Sequence, residues 1–395
     1  MTIGIIGSGA MGAGIAQVAA TAGHTVRLLD QNQTALQQAA HRIRQSLDKL
    51  AEKGKLTTED AAAAYTRIQL TENQTDFADC SLVIEAIVED LTAKQQVFQE
   101  VERVVSADCV LATNTSSLSI TSIAAACQRP ERFVGIHFFN PAPLMQLVEV
   151  VPAVQTRPGL ADEVHALIQK WGKRPVLVQD TPGFIVNRVA RPFYGEAIRL
   201  LEEGVADAVT IDWAMTELGG FRMGPFALMD FIGHDVNYRV TESVWTAFFY
   251  DPRYRPSLTQ KRLLEAGYYG RKTGRGFYDY APGAPTPAPT PDEALGQRIL
   301  HRILAMLINE AADALYLRVA TAADLELAMT TGVNYPQGLL AWADTLGLPQ
   351  VLQTLDDLYH EYHEERYRAS PLLRRLAQAG QSFFPAKKAS VDNSA

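Results

Sequence analysis

The stretch Thr2-Ile3-Gly4-Ile5-Ile6-Gly7-Ser8-Gly9-Ala10-Met11-Gly12 reads as an apolar strand that enters a glycine-rich turn and then a helix. The next apolar run, Thr25-Val26-Arg27-Leu28-Leu29, ends on Asp30. A GxGxxG pattern alone is weak, but a strand before it, a helix after it and an acid about 20 residues on mark a dinucleotide site. Gly7 permits the tight turn, Gly9 lets backbone approach a pyrophosphate, and Gly12 lets helix and strand pack closely. The helix N-terminus, with Ser8, Ala10 and Met11 filling the loop, offers N–H groups to the phosphates. Asp30 is placed to accept hydrogen bonds from the adenosine ribose and to repel a 2'-phosphate. Gln31, Asn32 and Gln33 add no cation, so NAD(H) is expected rather than NADP(H).

Outward from this motif, short β-branched runs alternate with amphipathic segments to about residue 180. They are Ser81–Glu85, Val110–Thr113, Phe133–Ile136 and Val176–Val178. Such alternation predicts an α/β domain with a mostly parallel sheet. Between the second and third of its strands, Thr34–Thr66 carries Leu36, Ile43, Leu47 and Leu50 at near-helical spacing and reads as a helical excursion. After Thr181-Pro182-Gly183 the strand signal fades into helices joined by Gly/Pro turns. Asp230 and Asp235, which flank Gly233, read there as turn formers.

The chain then repeats itself. Arg188 and Arg302, Glu196 and Glu310, Met215 and Met329, Asp230 and Asp344 all stand 114 residues apart (302 − 188). The expected organisation is an NAD-binding Rossmann-type domain over 1–180, a helical domain over 181–280 and an extended Pro-rich linker over 281–291. A second, degenerate helical copy over 292–380 and a frayed tail over 381–395 complete it. The two copies are expected to meet across a pseudo-twofold interface.

With 395 residues, 47% hydrophobic and 20% charged, the chain has the composition of a soluble globular protein. A net charge of -8 argues against nucleic acid or an anionic membrane as partner. Three cysteines without CxxC spacing argue against a disulfide framework and fit a reducing cytoplasm. No apolar stretch reaches 18 residues, and the N-terminus leaves no room for a leader before the first strand. No metal is expected, because no histidine stands at ligand spacing from acidic or cysteine partners.

A second dense cluster comprises Asn114-Thr115-Ser116-Ser117, Gly135-Ile136-His137-Phe138-Phe139-Asn140-Pro141 and Leu147-Val148-Glu149-Val150-Val151. His137 ends one apolar strand and Glu149 lies in another. If those strands are neighbours, the pair has the makings of a base held in one tautomer by a carboxylate. The alternative is a satisfied core histidine and a glutamate on a half-exposed strand.

The motifs GSGAMGAGIA, VIEAIVED, NTSSLSI, GIHFFNPAPLMQLVEVV, DTPGFIVNR, GPFALMD and GRKTGRGFY occur in this order, and through them the chain resembles the 3-hydroxyacyl-CoA dehydrogenase family. The wording around Arg188–Tyr194 and the second helical copy are most similar to bacterial phenylacetate-pathway members, which implies 3-hydroxyadipyl-CoA or 3-hydroxybutyryl-CoA as substrate. The resemblance implies His137 as general base and Glu149 as its orienting carboxylate. Ser116 and Asn187 would bond the reacting oxygen and the thioester region. It further implies that Asn140 helps hold substrate and nicotinamide, and that Glu89, Lys94, Asn114 and Lys272 face the cofactor. Ser46 and Lys53 match positions that contact CoA, with a solvated face as the alternative reading of Lys53. Asn187 and Arg188 could instead serve as cap and packing residues.

By the same resemblance the site would lie between the first two domains. Shorter members with one helical unit are dimers through it, so the second copy is expected to replace that contact, although a homo-oligomer remains possible. In the second copy His301 stands in place of Asn187, and the copy is expected to catalyse nothing. A β-hydroxyacid or 6-phosphogluconate dehydrogenase shares the opening motif but relies on a lysine base. A non-catalytic NAD(H) sensor would need no set of Ser116, His137, Glu149 and Asn187.

Overall fold

The computed structural model describes residues 1–285 and 287–385; Thr286 of the expected linker and the tail from 386 lie outside the described residues. The chain divides into two units, Met1–Ile185 and Val186–Ala395.

The first unit is built on eight strands: β1 (Thr2–Ile6), β2 (Thr25–Leu29), β3 (Ile68–Thr71), β4 (Leu82–Glu85), β5 (Val110–Thr113), β6 (Phe133–Phe138), β7 (Leu147–Pro152) and β8 (Arg174–Leu177). They form one sheet in the order β3-β2-β1-β4-β5-β6-β7-β8. Every neighbouring pair is parallel except β6 and β7. The strand order reverses at β1, and an open α/β sheet binds its ligand outside the carboxyl ends at such a switch point. The expected parallel sheet is therefore present, with the antiparallel step at β6–β7 as its exception. The short β3, Ile-Gln-Leu-Thr, carried no strand signal that the sequence reading recognised.

Helices α1 (Ala10–Thr21), α2 (Gln33–Glu52), α3 (Thr58–Thr66), α4 (Leu91–Val101), α5 (Ile120–Ala124) and α6 (Leu160–Lys170) cover this sheet. The excursion after β2 resolves into α2 and α3. Helix α2 starts where Asn32 Oδ1 accepts the Ala35 N–H at 3.1 Å and buries Leu36, Ala39, Ile43 and Leu47 along one stripe.

The second unit is helical: α7 (Val186–Val189), α8 (Arg191–Glu202), α9 (Ala208–Trp213), α10 (Pro225–Ile232), α11 (His234–Ala247), α12 (Leu258–Glu265), α13 (Glu293–Tyr316), α14 (Ala322–Gly332), α15 (Leu339–Leu346), α16 (Leu348–Tyr362) and α17 (Pro371–Ala379). Helix α13 runs through its middle and buries Ile299, Ile303, Met306 and Leu307, whose i, i+4, i+7, i+8 spacing puts them on one stripe.

The 114-residue repeat has a physical counterpart here. Arg188 Nε donates to Glu310 at 2.6 Å, while Arg302 Nε donates to Glu196 at 3.0 Å. Tyr254 donates to Glu310, and Tyr367 donates to Glu196. Contacts exchanged in this reciprocal way are the mark of an isologous, two-fold packing. The caps repeat as well: Asp212 accepts the N–H groups of Phe226 and Ala227 at the start of α10, and Glu326 those of Leu340 and Ala341 at the start of α15.

Asp230 is more than the turn former that sequence suggested. It is fully buried, bonds His234 at 2.8 Å and accepts the N–H groups of Phe277 and Tyr278, so it anchors a distant loop. Asp344 accepts from Phe383 and Phe384 in the same manner.

Truncation after Pro291 removes Glu310 and Asp313 from Arg188 and strips α13 from α8. The truncated chain should aggregate or form a new dimer, because a large apolar face would meet water. Gel filtration with light scattering checks this, and a soluble product of unchanged oligomeric order would contradict the covering role.

Candidate active site

Strands β1, β2 and β4 end side by side at Ile6, Leu29 and Glu85. Just beyond them a Cβ on Gly12 would stand 1.8 Å from the Gly7 carbonyl oxygen, so the turn and α1 can pack only with glycine there. A Cβ on Gly9 would meet nothing within 4 Å. The Gly9 opening therefore faces space that the protein does not fill, at an α1 N-terminus with no side-chain cap and no acid in its first turn. That is the setting a pyrophosphate needs, so the residues present fit a dinucleotide.

Asp30 accepts from Ser8 N and Ser8 Oγ, both at 2.8 Å, and from Asn32 N at 3.0 Å. Burial works to raise its carboxyl, but the hydrogen bonds from Asn32 and Ser8 outweigh it and hold the pKa below the usual value. Asp30 is thus a fixed anion at the end of β2. Arg42 Nη2 donates to the Ser8 carbonyl at 3.0 Å and steadies the loop from α2.

On the other side of the switch point lies a network that begins with Glu85, which the sequence reading did not single out. Glu85 is fully buried, accepts from Lys94 Nζ at 2.6 Å and Thr113 Oγ1 at 2.7 Å, and takes the Ile87 N–H at 2.7 Å. Lys94, itself 1% exposed, also stands 3.4 Å from Glu89. Glu89 then gathers the NTSS turn: Thr115 Oγ1 at 2.7 Å, Ser116 N at 2.9 Å and Oγ at 3.2 Å, and Ser117 N at 3.1 Å. Burial raises the Glu89 carboxyl, and Lys94 with these donors brings it below its ordinary value. The only hint of Glu85 in the sequence was an acid ending an otherwise apolar strand.

His137 and Glu149 are register partners across β6 and β7. Nδ1 of His137 lies 2.7 Å from Glu149 Oε2, and both side chains are buried. The second carboxylate oxygen, Oε1, accepts the Ile185 N–H at 2.9 Å. Phe139 and Phe184 pack beside the imidazole, with centroids at 4.5 Å and 5.9 Å. A carboxylate that holds Nδ1 leaves Nε2 as the nitrogen that can exchange a proton with a ligand. Asn114 Oδ1 accepts the Phe138 N–H at 2.8 Å and ties β6 to the end of β5. Asn140 is exposed just past β6.

Ser46 and Lys53 lie together on α2 and at its end. They line a cavity of about 310 Å³ with Arg42, Lys49, Pro143 and Leu144. In the second unit, Asn187 is half-buried in α7, and Lys272 Nζ stands 2.6 Å from Asp235 Oδ1. Among the described residues no group of three His, Cys, Asp or Glu could hold a metal, and no helix is long and apolar enough to cross a membrane.

A doubly wound sheet with a phosphate turn and a ribose carboxylate at its switch point, and an imidazole–carboxylate pair farther along the same sheet, defines a nicotinamide-dependent dehydrogenase. Comparison with known proteins narrows this. The model of the 3-hydroxyacyl-CoA dehydrogenase NAD binding domain matches residues 2–181, and that of the family's C-terminal domain matches 183–280 and 299–389. The chain belongs to the 3-hydroxyacyl-CoA dehydrogenase family and is an NAD-dependent oxidoreductase.

Among its relatives, 3-hydroxyadipyl-CoA dehydrogenase of Escherichia coli K12 is 39% identical over 95% of this chain and 97% of its own length. A probable 3-hydroxybutyryl-CoA dehydrogenase of Deinococcus radiodurans is 45% identical over 71% of this chain and 100% of its own. The crystal structure of 3-hydroxybutyryl-CoA dehydrogenase from Escherichia coli K12 superposes with a TM-score of 0.91 at 38% identity, covering 96% of this chain and 98% of that one.

Replacing Asp30 by Ala together with Gln31 by Arg should move cofactor preference toward NADPH, because the fixed anion gives way to a cation at the 2'-position. Steady-state kcat/KM for NADH and NADPH checks it, and an unchanged value for NADH would remove Asp30 from the ribose site.

Proposed function

We propose that this enzyme interconverts L-3-hydroxyacyl-CoA and 3-ketoacyl-CoA, with a 3-hydroxybutyryl or 3-hydroxyadipyl thioester as substrate. The observation that carries the mechanism is the buried His137–Glu149 hydrogen bond of 2.7 Å between β6 and β7, near the end of β6.

In the oxidative direction His137 Nε2 takes the proton of the 3-hydroxyl group, and Glu149 balances the charge of the resulting imidazolium. The Ile185 N–H on Glu149 keeps that carboxylate from rotating away. NAD, when bound, supplies the acceptor for the hydride that leaves carbon 3. Ser116, whose backbone N–H Glu89 holds at 2.9 Å, is the donor assigned to the reacting oxygen, its hydroxyl turning from Glu89 to that oxygen, which becomes an alkoxide in the reductive direction. Asn114 and Asn140 flank the same strand end and are assigned to holding cofactor and substrate. The cavity beside Ser46, with Arg42, Lys49 and Lys53 around it, suits the phosphates of CoA.

The relatives' names support both acyl chains, which differ in whether a free carboxylate ends the chain. We assign the chain to the cytoplasm. Its three cysteines are free and buried, with thiols pushed up to about 12 by that burial, so none is poised for disulfide exchange. We also read residues from 292 as a second helical copy that completes the fold and catalyses nothing.

NADH oxidation with acetoacetyl-CoA and with a dicarboxylyl 3-ketoacyl-CoA tests the substrate class; no turnover of either would overturn it. His137→Gln should leave NADH binding intact and lower kcat by about 10² to 10⁴, the usual worth of a positioned acid–base group. Retention of more than about a tenth of wild-type kcat would contradict the base assignment. Glu149→Gln removes the counter-charge, and its kcat should fall at least about tenfold. Equal activity at every pH would show that the carboxylate has no such role.

A further inference from the structure

A cavity of about 740 Å³ opens in the helical unit, on the face of α8 that carries Arg191, Ile198 and Glu202. Helix α11 and the segment from Arg253 to Arg262 form its other walls. Its size is in the range that receives small molecules. Its lining is unbalanced in charge and in hydrogen bonding.

Arg191 is only 7% exposed, yet its guanidinium makes a single hydrogen bond, from Nη1 to Thr241 Oγ1 at 3.1 Å. Its Nε has no partner, and among the described residues no carboxylate forms an ion pair with it. Burial lowers its pKa, and only the hydroxyls of Tyr194 and Tyr335 oppose that, with no acid among the influences. Arg188, one helical turn earlier, is buried as deeply but has Glu310 and Asp313.

One more buried donor of the lining, Trp245 Nε1 on α11, has no hydrogen-bond partner among the described residues, whereas Arg366 is paired with Glu364 at 3.1 Å and stands 3.9 Å from Glu196. The carboxylates nearby are already taken. Glu202 accepts the hydroxyls of Ser257 and Thr259 at 2.9 Å and 2.6 Å, and Glu203 accepts from Arg302 at 2.6 Å and 2.9 Å. Arg255 and Arg262, exposed parts of the lining, have no ion-pair partner among the described residues.

A buried cation without a counter-charge costs free energy, and so does each unmatched buried donor. A neutral apolar ligand would leave both costs standing, whereas an anion with several acceptor oxygens relieves both. We propose that this cavity binds a small anion through a carboxylate or phosphate group, with Arg191 as its counter-charge and Trp245 as a supporting donor. The planar guanidinium fork suits either group. This site is independent of the dehydrogenase reading, because none of its residues belongs to the machinery proposed for that reaction.

The test is calorimetric titration of the full chain with adipate and with inorganic phosphate, at matched ionic strength in chloride buffer. At least one anion should bind saturably and raise Tm. Binding of phosphate but not adipate assigns the site to phosphoryl ligands, and the reverse to carboxylates. Arg191→Met should weaken that binding by about tenfold or more, as loss of a charged hydrogen bond implies. The same variant should be at least as stable as wild type without the anion, since it removes an unpaired buried charge, and should keep wild-type kcat with acetoacetyl-CoA. Trp245→Phe keeps the ring and deletes one donor, so it should weaken binding even if Arg191→Met fails to fold. Absence of binding by both anions, or unchanged affinity in the variants, would overturn the proposal.

Discussion

The antiparallel pairing of β6 with β7 is the constraint on which the chemistry rests. Val134, Ile136 and Phe138 of β6 and Val148 and Val150 of β7 point into one apolar core, so His137 and Glu149 must point to the other face. A slip of one residue would turn the imidazole into that core and the isoleucine out of it, and the cost of both forbids the slip. The 2.7 Å contact is therefore held by the burial of its neighbours. Glu149 adds a second restraint through the Ile185 N–H, which ties the end of the first unit to the base.

The dinucleotide turn was legible because all its determinants are local. Gly7, Gly9, Gly12 and Asp30 lie within one strand-helix-strand segment, and the Ser8–Asp30 bonds join the ends of adjacent strands. His137 and Glu149 were each visible as polar residues in apolar runs, but their adjacency is a fact of sheet order, which local periodicity does not encode. Motif resemblance supplied the pairing; the register explains it. Glu85 was missed for a related reason. A buried glutamate looks wrong in an apolar strand until Lys94, nine residues on, is seen folding back over it. Lys94, which resemblance alone placed near cofactor, is also the counter-charge of buried Glu85 at 2.6 Å and stands 3.4 Å from Glu89, which organises the Ser116 turn.

The helical unit follows a similar rule with charge in place of register. A carboxylate or guanidinium withdrawn from water costs several kcal/mol, on the order of the whole margin of folding, unless a partner is supplied. Arg188 with Glu310 and Arg302 with Glu196 meet that demand reciprocally, and at two helix starts Asp212 and Glu326 accept backbone N–H groups, although burial still pushes both carboxyls up. These positions keep the 114-residue offset because losing either member of a pair leaves a buried charge alone.

At two other positions of the repeat the halves differ. Asn187 faces His301 at the same offset, and Arg191 faces Ala305, which is buried among apolar neighbours. The substitution at Arg191 is the informative one. An alanine there costs nothing, so an arginine without a carboxylate is a burden the fold does not require. Every other deeply buried arginine of this unit that the repeat carries, Arg188 and Arg302, has its acid within 3.0 Å. A charge that is neither repeated nor balanced by the chain points to a counter-charge that comes from outside it.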